Sequence, residues 1–491
     1  MKNKIKKVSD IIALFLKEKK IRHVFGIIGS ANAHIFDSIS KLNYTEIVCV
    51  HHEQAATMAM QNYYRTTGKI SAALVTAGGA SSNAITGVIS AWADSIPGII
   101  ISGQENLRFI KSYKKMRMWG IQGFDSTYMV SKVTKYSKRL VNPKEILYEL
   151  EKNYHISMTG RPGPVWLDIP IDIQGTKILN STKLKVFKPK KEIKSNLKKM
   201  ELIKISKMIE KSKRPVFWFG NGIKLSKKKQ AIKKILQKYP FPSFVSWAAI
   251  DLLDSNHNLN FGRPGVYGNR ASNFILQNSD LIISVGARMS IPMIGYVQDE
   301  FARKAKIIQV DIDKTEIKKL KKKTNLAINK DANIFLENIL KRVKNNINRT
   351  SLKDWTNYCR KTLKKYPHIE TEAHSDKNGH INSYKFLDKL SNFFRKDECI
   401  VTDMGTALLS GHQVLKIKEK QTLMTSTGLG EMGFGLPGAI GASFGRNKGE
   451  VICLNCDGGM MMNIQELQTI DHYKLPIKIF IFNNDGYLMI K

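Results

Sequence analysis

Short apolar runs recur along this chain with amphipathic stretches between them, and that alternation leaves few folds open. HVFGII (23–28), EIVCV (46–50), SAALVT (71–76), GIIIS (98–102) and PVWLDIP (164–170) have the length and composition of buried strands. Between them lie helical patterns such as EQAATMAMQNYYRTTG (53–68), which closes on a glycine stop signal. Strands that are apolar at nearly every position must be covered on both faces. The pattern therefore predicts parallel sheets wrapped by helices.

The rhythm breaks twice. Residues 176–200 are polar and basic and read as a linker. A second unit follows, with RPVFWFG (214–220), DLIISVGAR (280–288) and KIIQVDID (306–313) as its strands. Another polar stretch, roughly 342–380, precedes a third unit with ECIVTDMG (398–405), TLMTST (422–427), VICLNCDGG (451–459) and IKIFIFNND (477–485). The expected architecture is α/β, with three doubly wound parallel-sheet domains at 1–175, 195–342 and 375–491. A chain of 491 residues is long enough for three.

Composition removes some function classes. The formal charge of +38 invites a nucleic-acid reading. The lysines, however, are scattered through every segment (KNKIKK, KKEIKSNLKK, KKLKKK) and are not interleaved with stacking aromatics. Attraction of anionic metabolites fits them better, and no nucleic-acid partner is expected. No run is long and apolar enough to span a bilayer, so no membrane partner is expected either. The early run IIALFL is followed by KEKK, as in an amphipathic helix, and no signal peptide is visible. Five cysteines, an odd and sparse set, argue against a disulfide framework. A cytoplasmic enzyme is the expectation.

The chemistry concentrates near the end, in NCDGGMMMNIQELQTIDHYKLPIKIFIFNNDGYLMIK (455–491). A strand running into Asp457-Gly458-Gly459 puts a carboxylate at the carboxyl edge of a sheet, where open α/β folds bind ligands. The glycines let backbone N–H groups approach a phosphate. The next strand ends in Asn483-Asn484, and 484 − 457 = 27 residues is about one helical return to a parallel neighbour. A carboxylate and an amide oxygen side by side, next to a diphosphate, suit Mg²⁺. A rival reading takes Cys453 and Cys456 as a redox or zinc C-x-x-C. A redox pair belongs at a helix N-terminus, and a zinc site needs two more ligands that no second C-x-x-C supplies.

The Asp-Gly…Asn-Asn pattern between two apolar strands resembles the diphosphate–magnesium motif of thiamine-diphosphate enzymes. Other segments agree in order. HHEQAA (51–56) resembles the segment carrying the activating glutamate, and VTAGGASSNAITGVISAWADSIPGIIISGQ (75–104) the next block of acetohydroxyacid (acetolactate) synthases. RPGPVWLDIPIDIQ (161–174), SDLIISVGARMSIP…AKIIQVDIDKTEI (279–317) and GLGEMGFGLPGAIGAS (428–443) continue the likeness across the chain. The resemblance implies a pyrimidine-binding first domain, a Rossmann-like central domain and a diphosphate-binding third domain.

It further implies a site. Glu53 would activate the cofactor from its aminopyrimidine ring, and Gln104 would face the substrate. Gly405, Thr406, Ala407, Gly430, Met432, Asp457, Gly458, Gly459 and Asn484 would complete the cofactor site, with Asp457, Asn484 and the Gly486 carbonyl on Mg²⁺. For Glu53 an ordinary first-turn glutamate is the alternative, for Met432 core packing, and for Gln104 a loop amide serving backbone groups. His51 and His52, metal ligands by residue type, are expected to serve the structure. In the family the glutamate and the diphosphate site come from different subunits, which implies a homodimer or homotetramer. The implied reaction decarboxylates a 2-keto acid, pyruvate first, and joins the remainder to a second carbonyl in branched-chain amino-acid biosynthesis.

Some residues depart from the family. Cys456 stands where glycine is usual, which is acceptable in extended backbone and strained at positive φ. Asp403-Met404-Gly405-Thr406-Ala407 lacks the Gln-His that usually follows the glycine. Arg288 is followed by Met-Ser-Ile-Pro where FAD-containing members carry Phe-Asp-Asp-Arg, which leaves FAD open. The segment 116–140 resembles members whose acceptor is another compound, such as a keto-sugar. Family members continue well beyond the Asn-Asn pair, whereas this sequence stops at Lys491. An incomplete third domain, a weakly anchored last strand and little or no activity are therefore expected, and a non-catalytic paralogue is the alternative.

Overall fold

The computed structural model describes residues 6–110, 117, 118, 120–179, 183–189, 195–226, 229–320 and 323–490. Met116 and Trp119 of the segment 116–140, and residues 180–182 and 190–194 of the expected linker, lie outside the described residues. The chain forms two compact units. One joins Met1–Lys191, Cys399–Gly405 and Met424–Lys491, and the other joins Glu192–Glu398 and Thr406–Leu423.

The first unit carries a six-stranded sheet. Its order is Glu46–Cys49, His23–Gly26, Ala72–Val75, Gly98–Gln104, Pro164–Pro170, Tyr136–Arg139, every pair parallel. Gly98–Gln104 and Pro164–Pro170 are buried at all seven positions, as strands covered on both faces must be. The helix Glu53–Thr67 crosses over one face and ends on Gly68 at φ +67°, the left-handed stop that the sequence predicts.

A second sheet is built from the last block. Cys399–Thr402, Val451–Cys456 and Ile477–Phe482 lie side by side and parallel, with Thr422–Met424 on the outer edge. The last strand pairs with Val451–Cys456 in unbroken register from Val451↔Ile477 to Cys456↔Phe482. The ladder holds its backbone, while none of its six residues is buried, so the weak anchoring expected of it holds for the side chains alone.

The two blocks of this unit meet through small residues. Helix Gly435–Gly445 is buried from Gly435 to Phe444 and packs on helix Glu53–Thr67. A Cβ on Gly441 would stand 2.0 Å from the Ala59 carbonyl oxygen, and one on Gly438 would stand 2.6 Å from Asn62 Nδ2. Ala55, Ala56 and Ala59 face this crossing side fully buried. Backbones this close are possible only because glycine and alanine line the contact.

In the other unit five parallel strands run in the order Ser243–Val245, Pro215–Phe219, Leu281–Val285, Lys306–Asp311, Leu326–Asn329. The polar stretch after 342 is not a spacer. It forms the 17-residue helix Arg349–Lys365, whose Leu352, Trp355 and Cys359 enter the core of this unit while Trp355 Nε1 donates to the Pro215 carbonyl at 3.1 Å. The expected linker is likewise partly built in. Lys177–Ile178 pairs antiparallel with Lys6–Lys7, and the Phe187 ring packs on Tyr148 and His155.

Gly441→Val places branched carbons against the Ala59 carbonyl and is expected to destabilise the chain by about 1–3 kcal/mol. Gly79→Ala, with nothing within 4 Å of the added carbon, is expected to be nearly neutral. Thermal melts of the two variants beside the parent check the contrast.

Candidate active site

Strand Val451–Cys456 delivers Asp457 as the first residue of the short helix Asp457–Met462. Its carboxylate turns back to the neighbouring strand end. Oδ2 accepts the N–H of Asn484 at 3.1 Å and that of Gly486 at 3.3 Å, and Oδ1 accepts the Gly458 N–H at 2.8 Å. Burial opposes the charge, but these backbone donors outweigh it and hold the carboxyl below the ordinary aspartate range. An ionised carboxylate thus lies against the 484–486 turn. Asp485 at φ +54° and Gly486 at φ +138° give the turn its left-handed backbone.

The glycines around Asp457 are spaces that other groups already border. A Cβ on Gly458 would stand 2.9 Å from the Tyr487 ring and 3.1 Å from Met432 Cε. One on Gly459 would stand 1.8 Å from Asp403 Oδ2, and one on Gly430, at φ +75°, would meet Met404 Cε at 2.4 Å. Gly405, at φ +111°, faces the Cys456 sulfur in the same way at 2.9 Å. The structure therefore brings Gly405, Gly430, Met432, Asp457, Gly458, Gly459, Asn484 and Gly486 to one end of the sheet. Thr406 and Ala407 open the helix Thr406–Val414, which belongs to the other unit.

Cys456 answers the question its substitution raises. It sits at φ −111° and ψ 156°, extended backbone that a cysteine adopts without strain. Cys453 is fully buried in the core, and desolvation pushes its thiol well up. A protonated thiol in a dry core is neither a nucleophile nor a zinc ligand.

Two carboxyls at this end escape a reading of the sequence. Asp403, wholly buried, accepts the N–H groups of Gly433 at 3.1 Å and Phe434 at 2.9 Å, and burial pushes its pKa up to about 6 against these donors. Glu431 takes a hydrogen bond from the Ser426 hydroxyl, which itself lies 3.1 Å from the Ser90 hydroxyl. Burial lifts Glu431 to about 7, and the nearby Asp94 adds to the rise. Asp94 is held by Arg65 at 2.7 Å and by the Thr427 N–H and hydroxyl. Nothing local in GLGEMG signals this, because Ser90 comes from a helix far back in the chain.

Glu53 opens helix Glu53–Thr67 and is 8% exposed, with Oε2 accepting from Asn83 Nδ2 at 3.0 Å. His52 caps the helix, its Nδ1 accepting the Gln54 N–H at 3.2 Å. Gln104 ends strand Gly98–Gln104 and is almost fully buried. Its Nε2 donates to the Phe124 carbonyl at 2.9 Å and to Asp168 at 3.3 Å, and its Oε1 accepts the Glu105 N–H. Asp168, also fully buried, is paired with Arg139 at 2.8 Å. Among the described residues, neither Glu53 nor Gln104 bonds to the cluster around Asp457.

Three family models match the chain in order. The thiamine pyrophosphate enzyme N-terminal TPP binding domain matches residues 6–129, the central domain 202–339 and the C-terminal TPP binding domain 403–491. The acetolactate synthase large subunit of Porphyra purpurea is 31% identical over 479 residues, covering 96% of this chain and 78% of that protein. The chain belongs to the acetolactate synthase large-subunit family of thiamine pyrophosphate enzymes. Isozyme 1 of the Escherichia coli (strain K12) large subunit is 30% identical over 97% of this chain and 82% of its own length. The Lactococcus lactis subsp. lactis (strain IL1403) large subunit is 28% identical over 98% and 81%. Asp457, Gly458, Gly459, Asn484 and Gly486 all fall within the stretch matched as the C-terminal TPP binding domain of this family.

The raised carboxyl of Glu431 makes a testable mark on stability. A raised pKa stabilises the fold fully below the ordinary value of 4.5 and loses that contribution as pH rises through about 7. Between pH 5 and 8 the melting temperature of Glu431→Gln is expected to fall less than that of the parent. Parallel slopes in a calorimetric pH series would refute this. Gly459→Ala, which drives a carbon into Asp403 Oδ2, is expected to give largely insoluble or unfolded protein, read as loss of the soluble fraction.

Proposed function

We propose that this chain is an acetolactate-forming carboligase that uses thiamine diphosphate and Mg²⁺ to decarboxylate pyruvate and join the two-carbon remainder to a second pyruvate. The observation that carries the reading is the ionised Asp457 at the sheet edge, bonded to the Asn484–Gly486 turn and surrounded by side-chain-free positions. Family membership over nearly the whole chain supports it. A place in branched-chain amino-acid biosynthesis follows from the same reading.

The residues present fit the cofactor and its metal. Asp457 and the Asn484 side chain offer oxygens to a hard cation, and the Gly486 carbonyl completes the protein's share. The Gly459 N–H lies at the opening of a helix, where a diphosphate is favourably held, while the Gly458 N–H is taken by Asp457. Met432, beside Gly458, limits the shape that a bound molecule adopts, and Gly405 and Gly430 let Cys456 and Met404 pack close behind the site. When bound, thiamine diphosphate supplies the carbon nucleophile and the electron sink of the reaction. Glu53, nearly dry and oriented by Asn83, would exchange a proton between its Oε oxygens and the cofactor's aminopyrimidine ring. Gln104 braces the mouth of the first sheet through Phe124 and Asp168, and so sets the wall on which the substrate lies.

Glu53 and Asp457 bond to separate partners within one chain, which supports a shared site. We place Glu53 of one copy against the Asp457 cluster of a second, in a homodimer or a pair of dimers. FAD has less support. In the central unit the order of strands changes direction between Pro215–Phe219 and Leu281–Val285, the crevice where a dinucleotide normally lies. The chain fills it. A Cβ on Gly220 would stand 2.2 Å from Ala287 Cα, the Gly222 N–H bonds to the Gly286 carbonyl at 3.0 Å, and Met289 is fully buried behind them. We infer that the chain works without flavin.

With pyruvate, thiamine diphosphate and Mg²⁺, the purified chain is expected to release CO₂ and form 2-acetolactate. Glu53→Gln is expected to lower kcat by about 100-fold or more while cofactor affinity stays within a few-fold. Asp457→Asn is expected to raise the Mg²⁺ requirement steeply. A product other than 2-acetolactate, with a keto-sugar as acceptor, would move the substrate assignment to the runner-up. The absence of a 450 nm absorption band in active protein checks the flavin inference.

A further inference from the structure

The turn that presents Glu53 is held from far along the chain. Strand Glu46–Cys49 ends, three residues follow, and Glu53 opens its helix. The Cys49 N–H donates to the Tyr473 hydroxyl at 2.9 Å, and the His51 N–H donates to Glu466 Oε1 at 3.0 Å. Glu466 Oε2 in turn accepts the Thr469 hydroxyl at 2.8 Å. Every one of these groups comes from the helix Glu466–His472 or the residue after it.

Glu466 is 0% exposed and, among the described residues, makes no ion pair. A carboxylate taken out of water without a cation costs several kcal/mol unless N–H and O–H donors replace its hydration. Here the replacement donors are the His51 N–H of the turn before Glu53 and one threonine hydroxyl. That arrangement holds the peptide of residue 51, two residues before Glu53 opens its helix. Helix capping alone is already supplied by His52, so Glu466 is not needed as a cap.

We propose that Glu466 is a positioning residue for Glu53, acting through the His51 backbone. The inference rests on the reading of Glu53 as the activating acid. It also connects two parts of the chemistry, because Glu466 lies 466 − 457 = 9 residues after Asp457 on the same segment. The stretch that holds the metal end of one cofactor holds the turn that offers Glu53.

The test uses the full chain with Glu466→Ala, Glu466→Gln, Tyr473→Phe and Glu53→Gln. Without cofactor, amide hydrogen exchange of the peptide covering 47–55 is expected to speed up in Glu466→Ala, and less in Glu466→Gln, whose amide oxygen still accepts from His51. With thiamine diphosphate and Mg²⁺ bound, proton–deuterium exchange at the cofactor's C2 carbon is expected to slow about tenfold or more in Glu466→Ala. It should stay within a few-fold of the parent in Glu466→Gln, while the cofactor Kd by calorimetry changes less than about threefold in both. Parent-like C2 exchange in Glu466→Ala, alongside its loss in Glu53→Gln, overturns the proposal. Unchanged C2 exchange in Glu53→Gln instead overturns the reading of Glu53. If Glu466→Ala does not fold, Tyr473→Phe, which removes the acceptor for Cys49 and the donor to the Ile47 carbonyl, decides: slowed C2 exchange with an unchanged Kd supports the clamp, and parent-like exchange sinks it.

Discussion

The buried carboxylate of Asp403 ties together the end of the sheet on which the candidate site is built. It closes strand Cys399–Thr402, receives the N–H groups of Gly433 and Phe434 leading into helix Gly435–Gly445, and borders Gly459, two residues after Asp457. Three segments distant in sequence converge on one side chain. The carboxylate satisfies two N–H donors that would otherwise be stranded in the interior. Remove the carboxylate and the helix loses its anchor, the loop with Gly430 and Met432 loses its seat, and the turn at Gly458-Gly459 loses the surface it lies on. The raised pKa of Asp403 records the tension in this arrangement: burial disfavours the charge that the surrounding N–H groups require.

Much of this was legible in the residues themselves. Strands such as Gly98–Gln104 and Pro164–Pro170 are apolar along their length because both faces are buried, and a run of that kind has few other interpretations. The pairing of Asp457 with Asn484 followed from spacing, since one helical return is the shortest route between parallel neighbours. What spacing could not reach was any partnership across hundreds of residues. Ser90 with Glu431, through Ser426, is one, and Glu466 with His51 is another. The Gln104 amide bonds to Phe124, Asp168 and Glu105, a set that no local pattern announces. The stretch after 342 reads only as polar in the sequence. Its helix nevertheless offers a seam of Leu352, Trp355 and Cys359 at helical intervals, and a narrow seam is enough to dock a helix whose other sides are solvated.

Small residues do two kinds of work here. Around Asp457 their missing side chains let Tyr487, Met432 and Asp403 pack against the backbone. At the crossing of Glu53–Thr67 with Gly435–Gly445 they let two backbones touch. The second use bears on the first, because the helix that starts at Glu53 is the one pressed against the helix anchored by Asp403. Glu53 is thus fixed at its own turn by Asn83 and Glu466, and along its helix by glycine-to-carbonyl contact. Rigid support of this kind is what a proton-transfer group needs.

The discontinuous make-up of the first unit has a consequence for synthesis. Its opening sheet and helix Glu53–Thr67 leave the ribosome well before helix Gly435–Gly445, which covers the same helix, has been translated. At about 5–20 residues per second the delay is roughly 20–70 seconds. Throughout it, the alanine-rich face of Glu53–Thr67 stays uncovered while the central block folds. A nascent chain of this design is a natural client for a holding chaperone, and its yield should depend on elongation rate across the middle of the message more than on the final stability of the fold.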